Sequence, residues 1–278
     1  MPLFRTHSEI SNVRTSQEHH SVGLVPTMGA LHQGHLELIR RAHAQNEHVW
    51  VSIFVNPTQF NNPDDLAKYP NMLADDIKAI EEIDANIHIF APAVTEMYPD
   101  ELIAKKHEFH GFDKLMEGLD RPGHFDGVIT IVKKIFELLR PSRAYFGEKD
   151  FQQLQIIKNW VNTEHVPTLI VPYPIIREAN GLAMSSRNER LSKEARAAAG
   201  FIYRALLQSK SNCQTTTEIE RCIHDAFAKH PDFKLLYVHC LEEEDFKKVE
   251  HLADAKKPRL FVATAIEGVR LIDNIALK

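Results

Sequence analysis

The residues best suited to chemistry in this chain are two histidines, His32 and His35, in a short segment that also contains Gly29 and Gly34. An apolar run precedes this segment and an amphipathic stretch follows it, which predicts a link between a strand and a helix. Both imidazoles would then lie at a helix N-terminus, where backbone N–H groups and the helix dipole favour anions. There they could donate hydrogen bonds to phosphate oxygens and carry charge as a transition state forms. Two ordinary histidines, among the sixteen in the chain, remain the alternative.

Two further polar side chains follow predicted strands, at the edge where a parallel sheet binds its ligands. Gln59 comes directly after the apolar run 49–55 and offers a carbonyl and an NH2 group to a small polar substrate. Lys149 follows Gly147 and Glu148 and would present a point charge to phosphate. The alternatives are a turn at the Asn-Pro step before Gln59 and a solvated loop around Lys149.

A cluster of donors, Ser185, Ser186 and Arg187, lies in the later part of the chain. Two hydroxyls and a guanidinium could follow a departing pyrophosphate and close over a nucleotide, although such residues are also common in plain loops.

Asp75 and Asp76 stand near the start of a predicted helix and could hold Mg²⁺ through oxygen ligands. Interaction with the helix dipole is the alternative for at least one of them.

The elements that must position these residues alternate between strands and helices over the first 174 residues. The predicted strands are 22–26, 49–55, 87–90 and 144–146, and the predicted helices are 34–44, 73–83, 128–139 and 151–161. Repeated β-α units of this kind predict an α/β fold, a Rossmann-like, doubly wound parallel sheet that binds ligands beyond the carboxyl ends of its strands.

A domain boundary is predicted near Pro174, because Pro172 and Pro174 together disfavour continuous helix or central strand. Residues 1–174 form the predicted Rossmann-like domain, and 175–278 a smaller α+β lid domain. The second domain has helices at 193–209 and 217–230 and strands at 235–240, 260–266 and 269–275. It is net positive and the first domain is net negative, which favours a lid that closes on an anionic ligand.

The overall composition excludes several classes of protein. Hydrophobic residues make up 44% and charged residues 26%, as in globular proteins, and the net charge of −5 gives no general attraction to nucleic acid or anionic lipid. Three widely spaced cysteines suit neither a zinc site nor a disulfide scaffold. We therefore expect a cytoplasmic protein that is not bound to membranes and has no nucleic-acid partner.

Five strings of residues, considered together, resemble the pantoate–beta-alanine ligases of the HIGH-type nucleotidyltransferase superfamily. They occur here in family order, and the likeness extends from Val25 to about Leu191 and returns at Arg270 to Asn274. The strings are Pro-Thr-Met-Gly-x-Leu-His-x-Gly-His, Phe-Val-Asn-Pro-x-Gln-Phe, Arg-Pro-Gly-His-Phe, Phe-Gly-Glu-Lys-Asp-Phe-Gln-Gln-Leu and Ser-Ser-Arg-Asn.

The resemblance implies that ATP and (R)-pantoate form pantoyl adenylate and diphosphate, and that beta-alanine then displaces AMP to give pantothenate. His35 matches a catalytic acid and His32 its partner, while Lys149, Ser185 and Arg187 match groups on the phosphates. Pantoate would be held by Gln59 and Gln153. The implied ATP contacts are Met28, Gly29, Ala30, Leu31, His32, Gln33, Gly34, His35, Gly147, Glu148, Lys149, Asp150, Ile176, Met184, Ser185, Ser186 and Arg187.

The resemblance also implies Mg²⁺ as cofactor and a homodimer paired through the N-terminal domain. Two features depart from the family pattern: Asp126 stands where many relatives have a basic residue, and the C-terminal third matches poorly outside 270–274. A related nucleotidyltransferase with a phosphate-bearing acceptor is the rival enzyme hypothesis, although it would need a further basic site. A nucleotide sensor without catalytic activity is the rival of a different class.

Overall fold

The computed structural model describes residues 1–278, which divide into two compact units. The first unit comprises Met1–Glu148 and Gln152–Pro174, and the second comprises Lys149–Phe151 and Ile175–Lys278. The short segment Lys149–Phe151 differs from the sequence-based division, since it belongs to the second unit. The ring of Phe151, the last residue of this segment, packs against the ring of Phe261 in the second unit, with centroids 5.8 Å apart.

The first unit is built on a parallel sheet of six strands in the order β1-β4-β3-β2-β5-β6. The strands are β1 (Leu3–Phe4), β2 (Val22–Thr27), β3 (His48–Ile53), β4 (His88–Phe90), β5 (Arg143–Gly147) and β6 (Leu169–Tyr173). This order confirms the predicted α/β, doubly wound sheet. The strand order reverses between β2 and β5, so the edge beyond their carboxyl ends is where such folds bind ligands.

Eight helices accompany this sheet along the chain. They are α1 (His7–Ser16), α2 (Gln33–Gln45), α3 (Pro63–Ala67), α4 (Leu73–Glu81), α5 (Val94–Met97), α6 (Met116–Asp120), α7 (His124–Leu139) and α8 (Phe151–Thr163). Short 3₁₀ turns occur at Pro57–Gln59 and Glu148–Asp150. Helix α7 begins four residues earlier than predicted, after Gly123 in a left-handed conformation with a φ of 82°. No helix of the protein combines the length and the apolar composition needed to cross a bilayer.

Strands β2, β3 and β5 are buried because their side chains are almost all apolar. Leu24, Trp50 and Tyr145 are fully enclosed, which explains why the central strands read as continuous apolar runs. Strand β6 was not predicted, because Pro172 lies within it. A proline is tolerated there because β6 is an edge strand and needs partners on one side only.

The second unit packs three helices with an antiparallel sheet in the order β7-β8-β9. Its elements are α9 (Lys193–Ala198), α10 (Phe201–Asn212), α11 (Thr216–Ala228), β7 (Lys234–Glu242), β8 (Pro258–Ile266) and β9 (Val269–Ala276). The single helix predicted over 193–209 is two helices, which meet near Gly200. A Cβ at Gly200 would lie 2.3 Å from the carbonyl oxygen of Asn180, so close backbone approach requires glycine there.

Candidate active site

His32 and His35 lie at the start of α2, and both imidazoles contribute to its cap. His32 is the N-cap residue, and its Nδ1 accepts the N–H of Gly34 at 3.1 Å. His35 Nδ1 accepts the N–H of His32 at 3.3 Å. The rings stack with centroids 4.0 Å apart. Gln33 is exposed and donates to Glu37 on the same helix at 2.9 Å. The structure therefore brings the two imidazoles, but not the Gln33 amide, together at the helix N-terminus.

The two backbone contacts determine which nitrogen of each ring can act as a donor. A ring nitrogen that accepts an N–H carries no proton of its own. The neutral forms of His32 and His35 consequently hold their proton on Nε2, the nitrogen not used by the cap. Each imidazole can thus donate an Nε2–H hydrogen bond, and such donors suit the oxygen atoms of a phosphate group.

The loop between β2 and α2 contains two consecutive residues in the left-handed region, Gly29 with a φ of 81° and Ala30 with a φ of 49°. This conformation is costly for alanine and needs support from its surroundings. The carboxylate of Asp76, on α4, provides it by accepting the N–H of Ala30 at 2.9 Å and that of Leu31 at 2.7 Å. A buried carboxylate therefore stabilises the left-handed conformation of this loop.

Asp75 and Asp76 do not fit the magnesium site predicted for them. Asp76 is only 3% exposed, and each of its oxygens already accepts a backbone N–H. Burial raises the pKa of Asp76, and these two hydrogen bonds act in the opposite direction. Asp75 is exposed, and no group of three or more His, Cys, Asp or Glu residues is arranged to hold a metal. Asp76 therefore anchors the loop in this structure, and Mg²⁺ binding by Asp75 and Asp76 stays a prediction.

Gln59 ends the 3₁₀ turn that follows β3 and is 9% exposed. Its Oε1 accepts from Asn56 Nδ2 at 3.2 Å, and its Nε2 donates to Met28 Sδ at 2.9 Å. A thioether is a weak acceptor, so the amide can exchange this contact for a stronger one with a ligand. The residue expected to bind pantoate and the loop expected to bind ATP therefore meet within the first unit.

The amide of Asn56 orients Gln59 and is itself held by hydroxyls. Asn56 Oδ1 accepts from Tyr98 Oη at 2.8 Å and from Thr58 Oγ1 at 3.0 Å, so its Nδ2 must face Gln59 and the carbonyl oxygen of Gly127. Tyr98 was not among the residues predicted for the site. The available signal was its position shortly after the strand that becomes β4, near the same edge of the sheet.

The two neighbouring glutamines of α8 have different surroundings. Gln152 is buried, donates to the carbonyl oxygens of Phe112 and Leu115 at 2.8 Å each, and accepts the N–H of Glu117 at 3.0 Å. Gln153 is half-buried, and its side-chain amide makes no hydrogen bond to another residue of the protein. Of the two, Gln153 is the one whose amide can serve a substrate.

Two positions in the 121–126 segment have roles that the sequence did not reveal. The ring of His124 contacts the carbonyl oxygen of Gln59 through Nδ1 at 2.8 Å, which supports the turn that carries Gln59. Asp126 pairs with Lys106 at 2.7 Å and accepts the N–H of His107 at 2.9 Å. The acidic residue at this position is therefore neutralised locally and fixes a neighbouring segment.

The Gly147–Asp150 segment spans the division between the units. Gly147 ends β5, and a Cβ built on it would meet no atom within 4 Å, so its surroundings are open. Gly147 and Glu148 belong to the first unit, whereas Lys149 and Asp150 belong to the second. The side chain of Lys149 is 19% exposed, and its Nζ lies 3.7 Å from Asp150 Oδ2.

The remaining predicted contacts lie on one segment of the second unit. The N–H of Met184 donates to the carbonyl oxygen of Ile176 at 2.9 Å. Ser185 caps the following 3₁₀ turn, Ser186–Arg190, where its Oγ accepts the N–H of Arg187 at 3.3 Å. Ser186 itself is buried. The structure brings Ile176 and Met184 together, and it gives Ser185 a local structural role in addition to the predicted one.

Comparison with protein families identifies one that covers almost the whole chain. The model of the family described as pantoate-beta-alanine ligase matches residues 2–276. The pantothenate synthetase of Flavobacterium psychrophilum is 46% identical over 264 residues, which are 94% of this chain and 94% of that protein. The pantothenate synthetase of Christiangramia forsetii is 47% identical over 260 residues, 92% of each chain.

Solved structures give the same result. The crystal structure of pantothenate synthetase from Thermus thermophilus has a TM-score of 0.93 and 38% identity, and covers 100% of this chain and 99% of its own. The pantoate-beta-alanine ligase of Francisella tularensis, solved in complex with beta-gamma ATP and beta-alanine, has a TM-score of 0.84 and 36% identity, with 100% and 98% coverage.

Proposed function

Since this chain belongs to the pantoate–beta-alanine ligase family, we propose that it condenses (R)-pantoate with beta-alanine, with conversion of ATP to AMP and diphosphate. The supporting observation is the full-length family match, residues 2–276, in a chain that keeps paired histidines at the N-terminus of α2. The names of the relatives fit this activity and not a nucleotidyltransferase with a phosphate-bearing acceptor.

The reaction would proceed through pantoyl adenylate in two steps. The carboxylate of pantoate attacks the α-phosphorus of ATP, and the bond to the bridging oxygen of the leaving diphosphate breaks. The amine of beta-alanine then attacks the acyl carbon, loses a proton and expels AMP, which gives the amide. In the first step two anions approach each other, so donors and cations that act on the developing charge lower the barrier most.

We assign the charge-stabilising roles to His32, His35, Lys149 and Arg187. The Nε2–H groups of the two histidines are suited to the α-phosphate, where negative charge shifts during attack. Lys149 and Arg187, in the second unit, are suited to the diphosphate. The other proposed ATP contacts are Met28, Gly29, Ala30, Leu31, Gln33, Gly34, Gly147, Glu148, Asp150, Ile176, Met184, Ser185 and Ser186.

Pantoate would be bound by the neutral amides of Gln59 and Gln153. Neutral donors orient its hydroxyls and carboxylate without the salt bridge that would reduce the nucleophilicity of the carboxylate. Mg²⁺ would enter as part of the substrate, bound to the phosphates of ATP, because the carboxylate of Asp76 is already hydrogen-bonded to the loop.

The family resemblance also supports a cytoplasmic homodimer paired through the first unit. Sedimentation at the monomer mass of 31.8 kDa would contradict the dimer.

Exchange of labelled diphosphate into ATP tests the proposed function directly. We expect exchange that depends on pantoate, and AMP release only after beta-alanine is added. Exchange without pantoate, or exchange only with a sugar phosphate or nucleotide, would instead support the rival acceptor. If no AMP forms with all three substrates present, the nucleotide sensor is the better explanation.

Replacing Gln59 by alanine should raise KM for pantoate far more than KM for ATP. Loss of a hydrogen-bonding side chain in a buried site costs about 1–3 kcal/mol, so we expect an increase of roughly 5- to 150-fold for pantoate. Steady-state kinetics with each substrate varied in turn measure the difference, with Gln208→Ala, an exposed change, as the control. Equal losses for both substrates would contradict the assignment.

A further inference from the structure

The last strand of the chain carries a buried pair, Asp273 and Asn274, whose role the proposed reaction leaves open. Their exposed fractions are 6% and 2%. The carboxylate of Asp273 accepts two hydrogen bonds from the guanidinium of Arg177, at 2.6 and 2.9 Å, and one from the N–H of Asn274 at 2.8 Å. Arg177 also stacks on Tyr203, 3.6 Å from the ring centroid. A two-point contact of this kind fixes direction as well as distance.

The amide of Asn274 connects this pair to Lys149. Asn274 Oδ1 accepts from a terminal nitrogen of Arg259 at 2.6 Å, and Asn274 Nδ2 donates to the carbonyl oxygen of Lys149 at 3.0 Å. Arginine can only donate, so the amide oxygen must face Arg259 and the NH2 group must face Lys149. The orientation of the amide is therefore determined by its partners.

Side chains of β8 hold the residues that follow Lys149. The guanidinium of Arg259 lies 4.0 Å from the centroid of Phe151, and its Nε donates to Glu243 at 2.7 Å. Phe261, also on β8, packs on the ring of Phe151. These contacts explain why Lys149–Phe151 belongs to the second unit although the flanking residues belong to the first.

We propose that Asn274 is a positioning residue that fixes the main chain of Lys149 and so directs its ammonium group to the phosphates of ATP. The inference rests on the proposed function, in which Lys149 binds phosphate. Fixing the carbonyl of Lys149 removes rotation about its backbone, and a displacement of about 1 Å at a reacting centre can cost up to ~10²-fold in rate.

A double-mutant cycle tests this inference. Asn274→Asp keeps the size of the side chain and an acceptor for Arg259 but removes the donor to Lys149. We expect it to lower kcat/KM for ATP about 10-fold, with KM for pantoate within about 2-fold of wild type. In a Lys149→Ala background the same substitution should change kcat/KM by less than about 2-fold, because the residue it positions is already absent.

Ser209→Ala is the matched control, since Ser209 is fully buried in the second unit and its hydroxyl has no hydrogen-bond partner. It should leave both kinetic constants unchanged. Thermal unfolding of every variant establishes that it is folded, and Asn274→Ser replaces Asn274→Asp in the cycle if the latter does not fold.

The outcomes separate this inference from the proposed function. Additive effects of the two substitutions, or wild-type kinetics for Asn274→Asp, would overturn the positioning role alone. Wild-type kinetics for Lys149→Ala would also overturn it, since there would be no phosphate contact to position. Failure of the wild-type protein to catalyse pantoate-dependent exchange would refute the proposed function itself.

Discussion

Replacing His35 by alanine is expected to lower kcat at least ~10²-fold, the usual scale for loss of an acid or a charge-stabilising donor. The reason lies in the ring geometry: Nδ1 is bonded to the backbone of His32, so Nε2–H is the group that can act on a phosphate. Rapid-quench or coupled assays of AMP formation measure the effect. A change confined to KM for ATP would show that His35 binds the nucleotide without contributing to the chemical step.

Two further variants separate the ring from the helix cap. His35→Gln keeps a side-chain acceptor at the third helical position, where glutamine suits a capping box, but lacks a second nitrogen on the far side of a ring. We expect near wild-type unfolding stability and a kcat that is still strongly reduced. His43→Ala, an exposed change on the same helix, should leave kcat unaltered. A kcat restored by glutamine would mean that the cap, and not the Nε2–H group, is what catalysis requires.

Replacing Asp76 by alanine is the second change with a large expected effect. It leaves the buried N–H of Ala30 and the partly buried N–H of Leu31 without their acceptor, and each fully buried group of this kind costs about 1–3 kcal/mol. We expect the free energy of unfolding to fall by about 2 kcal/mol or more, and KM for ATP to rise at least ~10-fold as the left-handed turn at Ala30 relaxes. Urea denaturation and ATP kinetics measure the two effects.

Asp75→Ala provides the control for Asp76, because Asp75 is its exposed neighbour on α4. We expect it to be close to wild type in stability and in its requirement for Mg²⁺. Asp76→Asn keeps one acceptor but turns an NH2 group towards the other N–H, so its loss of stability should be intermediate. If both alanine variants raised the Mg²⁺ requirement and neither changed stability, the pair would be a metal site after all.

Most of the fold could be predicted because its signals are local. The apolar runs that become β2, β3 and β5 are buried on both faces, and their composition alone indicates this. Strand β1 has only two residues, and Ile10 is the sole buried residue of α1, so neither element has an apolar period that a sequence pattern could detect. The break at Gly200 depends on contact with Asn180, twenty residues earlier in the chain.

The residues of the candidate site also divide into those with a local signal in the sequence and those whose role depends on distant partners. His32, His35 and Gln59 could be proposed because each stands in a compact motif directly after a strand. The roles of Asp76 and Asn274 depend on partners that are 46 and 125 residues away in sequence. A carboxylate that binds a backbone and one that binds a metal look the same in a sequence, so only the position of the loop decides between them.

The placement of Lys149–Phe151 in the second unit has a consequence for dissecting the protein into fragments. A C-terminal polypeptide starting at Ile175 would lack part of its own interior: the ring beneath the Arg259 guanidinium and the acceptor of the Asn274 amide. The face of Phe261 that packs on Phe151 would also lose its partner ring. Splitting the gene at the apparent domain junction therefore removes a piece of the smaller half, and a tripeptide insertion taken from the larger half would be needed to complete it.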